Sequence, residues 1–224
     1  MPILATSRTI EGSSGYDSDM VTLLNSDVAT EEGILKIVAA MEGKQVIYLF
    51  NNAGYFSMQS TWGSYEAVEF DSTMDINVKA PLFLASRLTY AHNARILNIG
   101  SHAGFGYRTG NAYYCISKAA LKMVNTVINA HLNEQSVYSC YLLPGATDTE
   151  MLHKTGLIAK MSSPPHGPEV AAKFCLWLTK DSIDNSEFAT KYWDIWDETL
   201  HTQWVEEGME PPKYTLSLPL PKLK

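Results

Sequence analysis

Three side chains within one short stretch could move a proton. Ser101 follows the run Ile96-Leu97-Asn98-Ile99-Gly100, and Tyr114 and Lys118 stand four residues apart a little further on. Residues 96–99 read as a buried strand and 100–111 as a polar, glycine-rich loop, with a helix expected from about residue 112. Side chains four apart share a helix face, so an ammonium can lie beside the phenol. A free phenol titrates near ~10 and a neighbouring cation favours its anion, so the pattern predicts a Tyr114 pKa drawn down towards neutrality, where the phenol can exchange protons. Ser101 sits just past a strand's carboxyl end, where open α/β sheets bind ligands, and can orient a substrate oxygen. Tyr113 lacks this pairing, because Ser117 stands four residues after it. The ordinary alternative is a half-buried ring beside a solvated amine.

The elements that must position these groups alternate in type. Strands are expected at 3–6, 20–24, 45–50 and 137–143, and helices at 30–41 and 168–179. The pattern between 62 and 93 is helical and contains Asn77, a polar residue in an otherwise apolar segment. Such an Asn can also cap or kink its helix locally. Strand, helix and strand in succession imply parallel pairing. Asn51-Asn52-Ala53-Gly54 and Pro144-Gly145-Ala146-Thr147-Asp148-Thr149 each follow a core strand, and both are also ordinary turn compositions. Residues 150–168 lack periodicity and include Ser162-Ser163-Pro164-Pro165, as expected of a lid over a site. Residues 186–208 are aromatic-rich, more in keeping with core or oligomer contact than with a ligand box. Residues 209–224 form a tail rich in Pro and Lys. The expected organisation is one α/β domain over 1–208, followed by that tail.

Composition narrows the function classes. The 224 residues carry a formal charge of −7 and are 46% apolar, which suits one well-buried domain and argues against a nucleic-acid surface. No apolar run reaches membrane-spanning length and no secretory segment is visible, so a soluble cytoplasmic protein is expected. Cys115, Cys140 and Cys175 lack metal spacing or a close pair and read as buried thiols, and the six histidines are dispersed, so no metal site is expected. Serine hydrolysis is disfavoured, because Ile99-Gly100-Ser101 lacks the nucleophile elbow.

Ser101 with Tyr114-x-x-x-Lys118, Asn51-Asn52-Ala53-Gly54, Asn77 and the Pro144-Gly145…Thr149 loop together resemble the short-chain dehydrogenase/reductase family. The resemblance implies a Rossmann-like, doubly wound parallel sheet and a carbonyl–alcohol oxidoreductase using NADP or NAD. It makes Asn77, Ser101, Tyr114 and Lys118 a catalytic tetrad, with the Asn77 backbone holding a relay water. It assigns cofactor contacts to Asn52, Ala53, Gly54, Tyr114, Lys118, Pro144, Gly145 and Thr149, and an adenine contact to Asp27. It also implies a small-molecule carbonyl or alcohol substrate and a homodimer or homotetramer. The dimer would be built on helices spanning 72–90 and 112–132, with Phe83 and Leu84 as an apolar face.

The front of the chain departs from that pattern. Family members hold the cofactor pyrophosphate with a glycine-rich loop and a helix N-terminus, and residues 6–12 are at most a trace of it. The fold is therefore expected to be N-terminally abbreviated, with cofactor binding weakened unless Arg8, Ser13 or a partner subunit supplies donors. If 3–6 is the family's second strand, Arg8 stands where a basic residue recognises the 2′-phosphate of NADP, but the central strand is then missing. Unpaired buried backbone is costly, so 3–6 is expected to move inward to the central position. The alternative function is a non-catalytic binding or scaffold protein that kept the tetrad and lost the dinucleotide.

Overall fold

The computed structural model describes residues 1–9, 19–58, 63–106, 110–161 and 164–200, apart from the side chain of residue 160. Ser13, most of the glycine-containing loop before residue 19, Ser162, Ser163, residues 201–208 and the tail at 209–224 lie outside these. Apolar β-formers make the strands of a four-stranded parallel sheet, in the order β3 (Val46–Asn51), β4 (Tyr90–Ile99), β5 (Val137–Leu143) and β6 (Tyr192–Asp194). β5 and the Ile96–Ile99 end of β4 are mostly apolar because both faces are covered there.

On one face, Ile96 of β4 and Val137, Tyr141 and Leu143 of β5 pack against Leu121, Val124 and Ile128 of α4 (Ala112–Leu132). On the other, Leu97, Cys140 and Leu142 meet Phe174 and Trp177 of α6 (Pro168–Trp177) and Phe188 of α7 (Asn185–Thr190). Each such side chain contributes about 1.5–3 kcal/mol by leaving water. The doubly wound α/β expectation therefore holds. A row of polar groups crosses this sheet: Asn51 Nδ2 donates to Asn98 Oδ1 at 2.8 Å, and Asn98 Nδ2 donates to Asn125 Oδ1 and Ser139 Oγ. All four are buried, so each must be satisfied internally, which ties the strand register to α4.

The expectation for the first strand does not hold. β1 (Ile3–Ser7) pairs in parallel with β2 (Val21–Asn25), from Ile3↔Val21 to Ser7↔Asn25, and the pair forms a separate two-stranded sheet. Leu4 and Leu24 prefer the apolar face of α1 (Glu31–Ala40), packing with Ile34 and Ile37 and with Ala80 and Leu84 of α3 (Ala80–Arg87). Among the described residues, β3 has no partner on its outer edge, where Ile47 and Phe50 are exposed. Water can reach that edge, which relieves the penalty that argued for a central β1.

Two other local expectations change. The helical segment ends at Arg87, and β4 begins at Tyr90. The register between β3 and β4 jumps between Val46↔Tyr90 and Tyr48↔Arg95, and Asn93 in the bulge takes a positive φ of 61°. Leu84 is buried in the core and so is no part of a dimer face. Cys115 and Cys140 are buried and Cys175 is half-buried, all three as free thiols.

Candidate active site

Ser101 stands two residues past β4 and caps a short 3₁₀ turn, His102–Phe105, whose Ala103 N–H donates to the Ser101 hydroxyl at 3.1 Å. Tyr114 and Lys118 lie on the first turns of α4, whose buried face carries Tyr113, Ser117, Lys118, Leu121 and Val124 at helical spacing. The Ser101 side chain lies close enough to the Tyr114 phenol to favour its anion. Lys118 is 4% exposed, and its ammonium donates to the Ile99 carbonyl at 2.7 Å. It lies 5.5 Å from the Tyr114 ring centroid. Three of the four tetrad side chains thus meet at the carboxyl end of β4. Tyr113 packs on Phe70 at 5.4 Å between centroids, in the helix layer.

The electrostatics differ from the sequence expectation. Burial pushes Tyr114 up to about 12, and the Ser101 side chain opposes this only in part. Burial draws Lys118 down to about 8. The lysine's ammonium is engaged by the Ile99 carbonyl and the face of the ring, and desolvation dominates the shift of the phenol.

Asn77 sits in a π-turn, Asp75–Lys79, between α2 (Ala67–Met74) and α3, where the Ala80 N–H donates to the Asp75 carbonyl. The side chain is 1% exposed. Its Oδ1 accepts from Tyr55 N–H at 2.8 Å, and its Nδ2 donates to the Tyr55 carbonyl and to Ser117 Oγ, both at 2.9 Å. Asn77 therefore clamps the chain just after Gly54 onto α4, a contact the sequence could not show. π-turns of this kind recur at functional sites.

Asn52, Ala53 and Gly54 are exposed at the end of β3. Pro144 and Gly145 follow β5, with Gly145 at a φ of +72° that suits glycine. Thr149 caps α5 (Glu150–Lys154) by accepting from Leu152 N–H, and its hydroxyl donates to the Thr147 carbonyl. Asp27 turns inward, its Oδ1 accepting from Ala29 N–H at 3.0 Å at the entry to α1. Arg8 is exposed beyond β1, close enough to Tyr55 for its charge to favour the phenolate against the larger upward pull of Glu69.

Residues 150–161 and 164–167, the segment expected to form a lid, lie between β5 and α6. The segment leaves at Thr149 through α5 and returns at the Thr147↔His166 bridge, where His166 Nε2 bonds the Pro144 carbonyl at 2.8 Å. The Met151 methyl lies 3.5 Å from where a Cβ on Gly54 would stand, so α5 reaches from the end of β5 to the end of β3.

Some neighbours escaped the sequence reading. Phe56 meets the Tyr114 ring edge-on at 5.3 Å. His102 bonds Asp194 through Nε2 at 2.7 Å and stacks on Trp196. Polar side chains just past the ends of β4 and β6 were the available signal for the second contact. A cavity of about 440 Å³ lies at the other end of the sheet, beside Tyr48, Asn93 and Arg95. The Arg95 guanidinium is engaged there by the carbonyls of Leu178, Lys180 and Ile183 and by Asn185 Oδ1, so it closes the α6–α7 turn. Among the described residues no His, Cys, Asp or Glu cluster could hold a metal, and no helix is long and apolar enough to cross a membrane.

Known proteins resemble this chain to different extents in sequence and fold. The chain is 27% identical over 138 residues to an uncharacterized oxidoreductase of Staphylococcus aureus (strain USA300), covering 58% of this chain and 59% of that relative's length. Its fold is similar to 4-hydroxyisoleucine dehydrogenase complexed with NADH and succinate, at 20% identity and TM-score 0.72, with 87% of each chain covered. It is also similar to the angucycline C-6 ketoreductase LanV with bound NADP, at 20% identity and TM-score 0.68, with 81% of this chain and 76% of that one covered. The short chain dehydrogenase family profile matches residues 6–157. A match over more than half the chain, on the strands and helices that carry Ser101, Tyr114 and Lys118, makes this protein a member of the short chain dehydrogenase family.

Proposed function

We propose that the chain is an NAD(P)-dependent oxidoreductase that interconverts a carbonyl and an alcohol. The observation carrying this reading is the gathering of Ser101, Tyr114 and a buried Lys118 just past the end of β4, with the Lys118 ammonium 5.5 Å from the Tyr114 ring centroid. The residues present fit the nicotinamide half of the cofactor. The exposed backbone of Asn52, Ala53 and Gly54 faces the crevice at the strand ends, and Pro144, Gly145 and Thr149 border it from β5. Structural neighbours carry NADH or NADP, and Arg8 and Asp27 are the candidate contacts on the adenosine side. When bound, the nicotinamide supplies or accepts the hydride.

The chain's own residues handle the oxygen and the proton. The Ser101 hydroxyl holds the substrate oxygen, and the Tyr114 phenol exchanges its proton with that oxygen. A phenol near 12 is protonated at neutral pH, the form that gives its proton to the oxygen of a carbonyl as it is reduced. Lys118 keeps a positive charge beside the ring, and Asn77 fixes the wall formed by Tyr55 and Phe56. The substrate is a small carbonyl compound. A homodimer is built on α4, where Ile116, Met123 and Val127 form an exposed apolar stripe.

Met151 against Gly54 favours a second reading, a binding protein whose lid closes on the strand end itself. Replacing Tyr114→Phe removes one oxygen from a ring that still packs on Phe56, and is expected to abolish NAD(P)H-dependent carbonyl reduction while leaving the circular dichroism unchanged. Most of the wild-type rate remaining would end the proton-donor role. Calorimetry is expected to give NAD(P)(H) binding at least tenfold weaker than in a relative with a complete phosphate loop. Binding that is undetectable at millimolar cofactor would favour the binding protein.

A further inference from the structure

Tyr141 reads in sequence as one more apolar residue of β5, yet it is fully buried and its hydroxyl is the most heavily bonded phenol near the site. The oxygen accepts from Ser101 N–H at 3.0 Å. Its proton is shared between the Ser101 carbonyl at 3.0 Å and the Lys118 carbonyl at 3.1 Å. One oxygen thus joins the backbone of the loop bearing the candidate oxygen-binding hydroxyl to the helical turn bearing the lysine.

The surroundings are shaped for that ring. A Cβ on Gly100 would stand 2.2 Å from Tyr141 Cζ, and one on Gly104 would stand 2.5 Å from the Tyr141 oxygen. Both glycines are therefore required by the approach of the phenol and not by their dihedral angles, since neither has a positive φ. Phe105 and Tyr192 close the ring's edges in T-shaped contacts, each 6.0 Å between centroids. Lys118 Nζ adds a second tie by donating to Ile99, two residues before Ser101. The loop and the helix are pinned at two points, and Tyr141 holds Ser101 by both its backbone N–H and its C=O, the carbonyl also accepting from Gly104 N–H at 3.0 Å.

We infer that Tyr141 is a positioning residue, whose hydroxyl sets the distance between the Ser101 side chain and the Tyr114–Lys118 face of α4. The inference rests on the oxidoreductase reading above. A displacement of the order of 1 Å in such a pair costs on the order of 100-fold in rate, whereas binding sites formed by other loops are unaffected.

The test is Tyr141→Phe, which keeps the ring beneath Gly100 and deletes the oxygen, with Tyr192→Phe as a control that leaves the three bonds in place. The expected result for Tyr141→Phe is native circular dichroism, a kcat lowered at least about tenfold, and KM values for carbonyl substrate and cofactor within about twofold of wild type. Amide hydrogen exchange at Ser101 is expected to speed up while Leu97 in the same strand is unchanged. A kcat within about twofold of wild type, or unchanged exchange at Ser101, would overturn the inference. Loss of the fold would overturn it as well, since the hydroxyl would then hold the domain and not a distance. If the wild-type chain reduces no carbonyl compound with either cofactor, the oxidoreductase reading falls, and exchange at Ser101 alone decides whether Tyr141 anchors that loop.

Discussion

Replacing Lys118→Met tests the electrostatics of the site without any assay of turnover. The variant keeps the aliphatic stem that fills the space beside Tyr114 and deletes the ammonium. Burial lowers the folded-state pKa from 10.5 to about 8. The sign follows from linkage: a lysine depressed in the folded state contributes stability that is fully present above the unfolded pKa and lost as pH falls through the folded one. Between pH 7 and pH 9 the folded chain sheds this proton while the unfolded chain keeps it, so the wild type gains roughly 1 kcal/mol over that interval and the methionine variant gains none from this source. For a chain of this size that is a relative rise of about 2–4 °C in melting temperature. Urea unfolding of both proteins at the two pH values cancels the contributions of all other groups. A wild-type-minus-variant difference that is the same at both pH values would show that Lys118 is not depressed, and would remove the desolvated cation from the site.

Asn77→Ala removes three hydrogen bonds and leaves the Tyr55 N–H, the Tyr55 carbonyl and the Ser117 hydroxyl short of a partner. The expected loss is about 2–4 kcal/mol in urea unfolding, and a loss below about 1 kcal/mol would mean that the clamp is not made in solution. Met123→Glu places a charge in the exposed stripe of α4 and is expected to convert a dimer to a monomer in sedimentation at micromolar concentration. A wild-type chain that is itself monomeric there refutes the stripe as an interface.

The grouping of the candidate site residues was more legible in sequence than the path of the N-terminal strands. Ser101, Tyr114 and Lys118 were legible because a strand end and a four-residue helical spacing are local facts that bring them together. The shift of Tyr114 was misjudged because its sign depends on how much water the fold removes, which spacing does not encode. Asn77 stood out as polar in an apolar helix, but its bonds run to Tyr55 and Ser117, far away in sequence. Tyr141 gave no signal at all, since its partners come from two other segments. β6 is three residues long inside an aromatic stretch, and its pairing with β5 carries it where local pattern could not. The place of β1 was likewise decided by side-chain affinity for α1, a long-range preference invisible to periodicity.

The separation of β1 and β2 from the four-stranded sheet divides the domain's cooperativity. Among the described residues no backbone hydrogen bond joins the two sheets, and the N-terminal unit is held by the apolar cluster around Ile34, Ile37 and Leu84 and by the Glu31–Arg87 ion pair. An exposed pair of this kind adds about 0–1 kcal/mol, so nearly all the coupling is side-chain packing. Such a unit opens sub-globally at a lower free energy than the rest, and amide protons of β1 and β2 are expected to exchange ahead of those in β4 and β5. Trp177, Trp193 and Trp196 all lie in or against the core on the far side of the larger sheet. The part of the tryptophan fluorescence that comes from these three therefore reports the more durable unit, and not whether Arg8 and Asp27 are still in place. A ligand touching both units would raise the exchange protection of β1 selectively, which makes that strand the most sensitive probe of whether a dinucleotide engages its adenosine side.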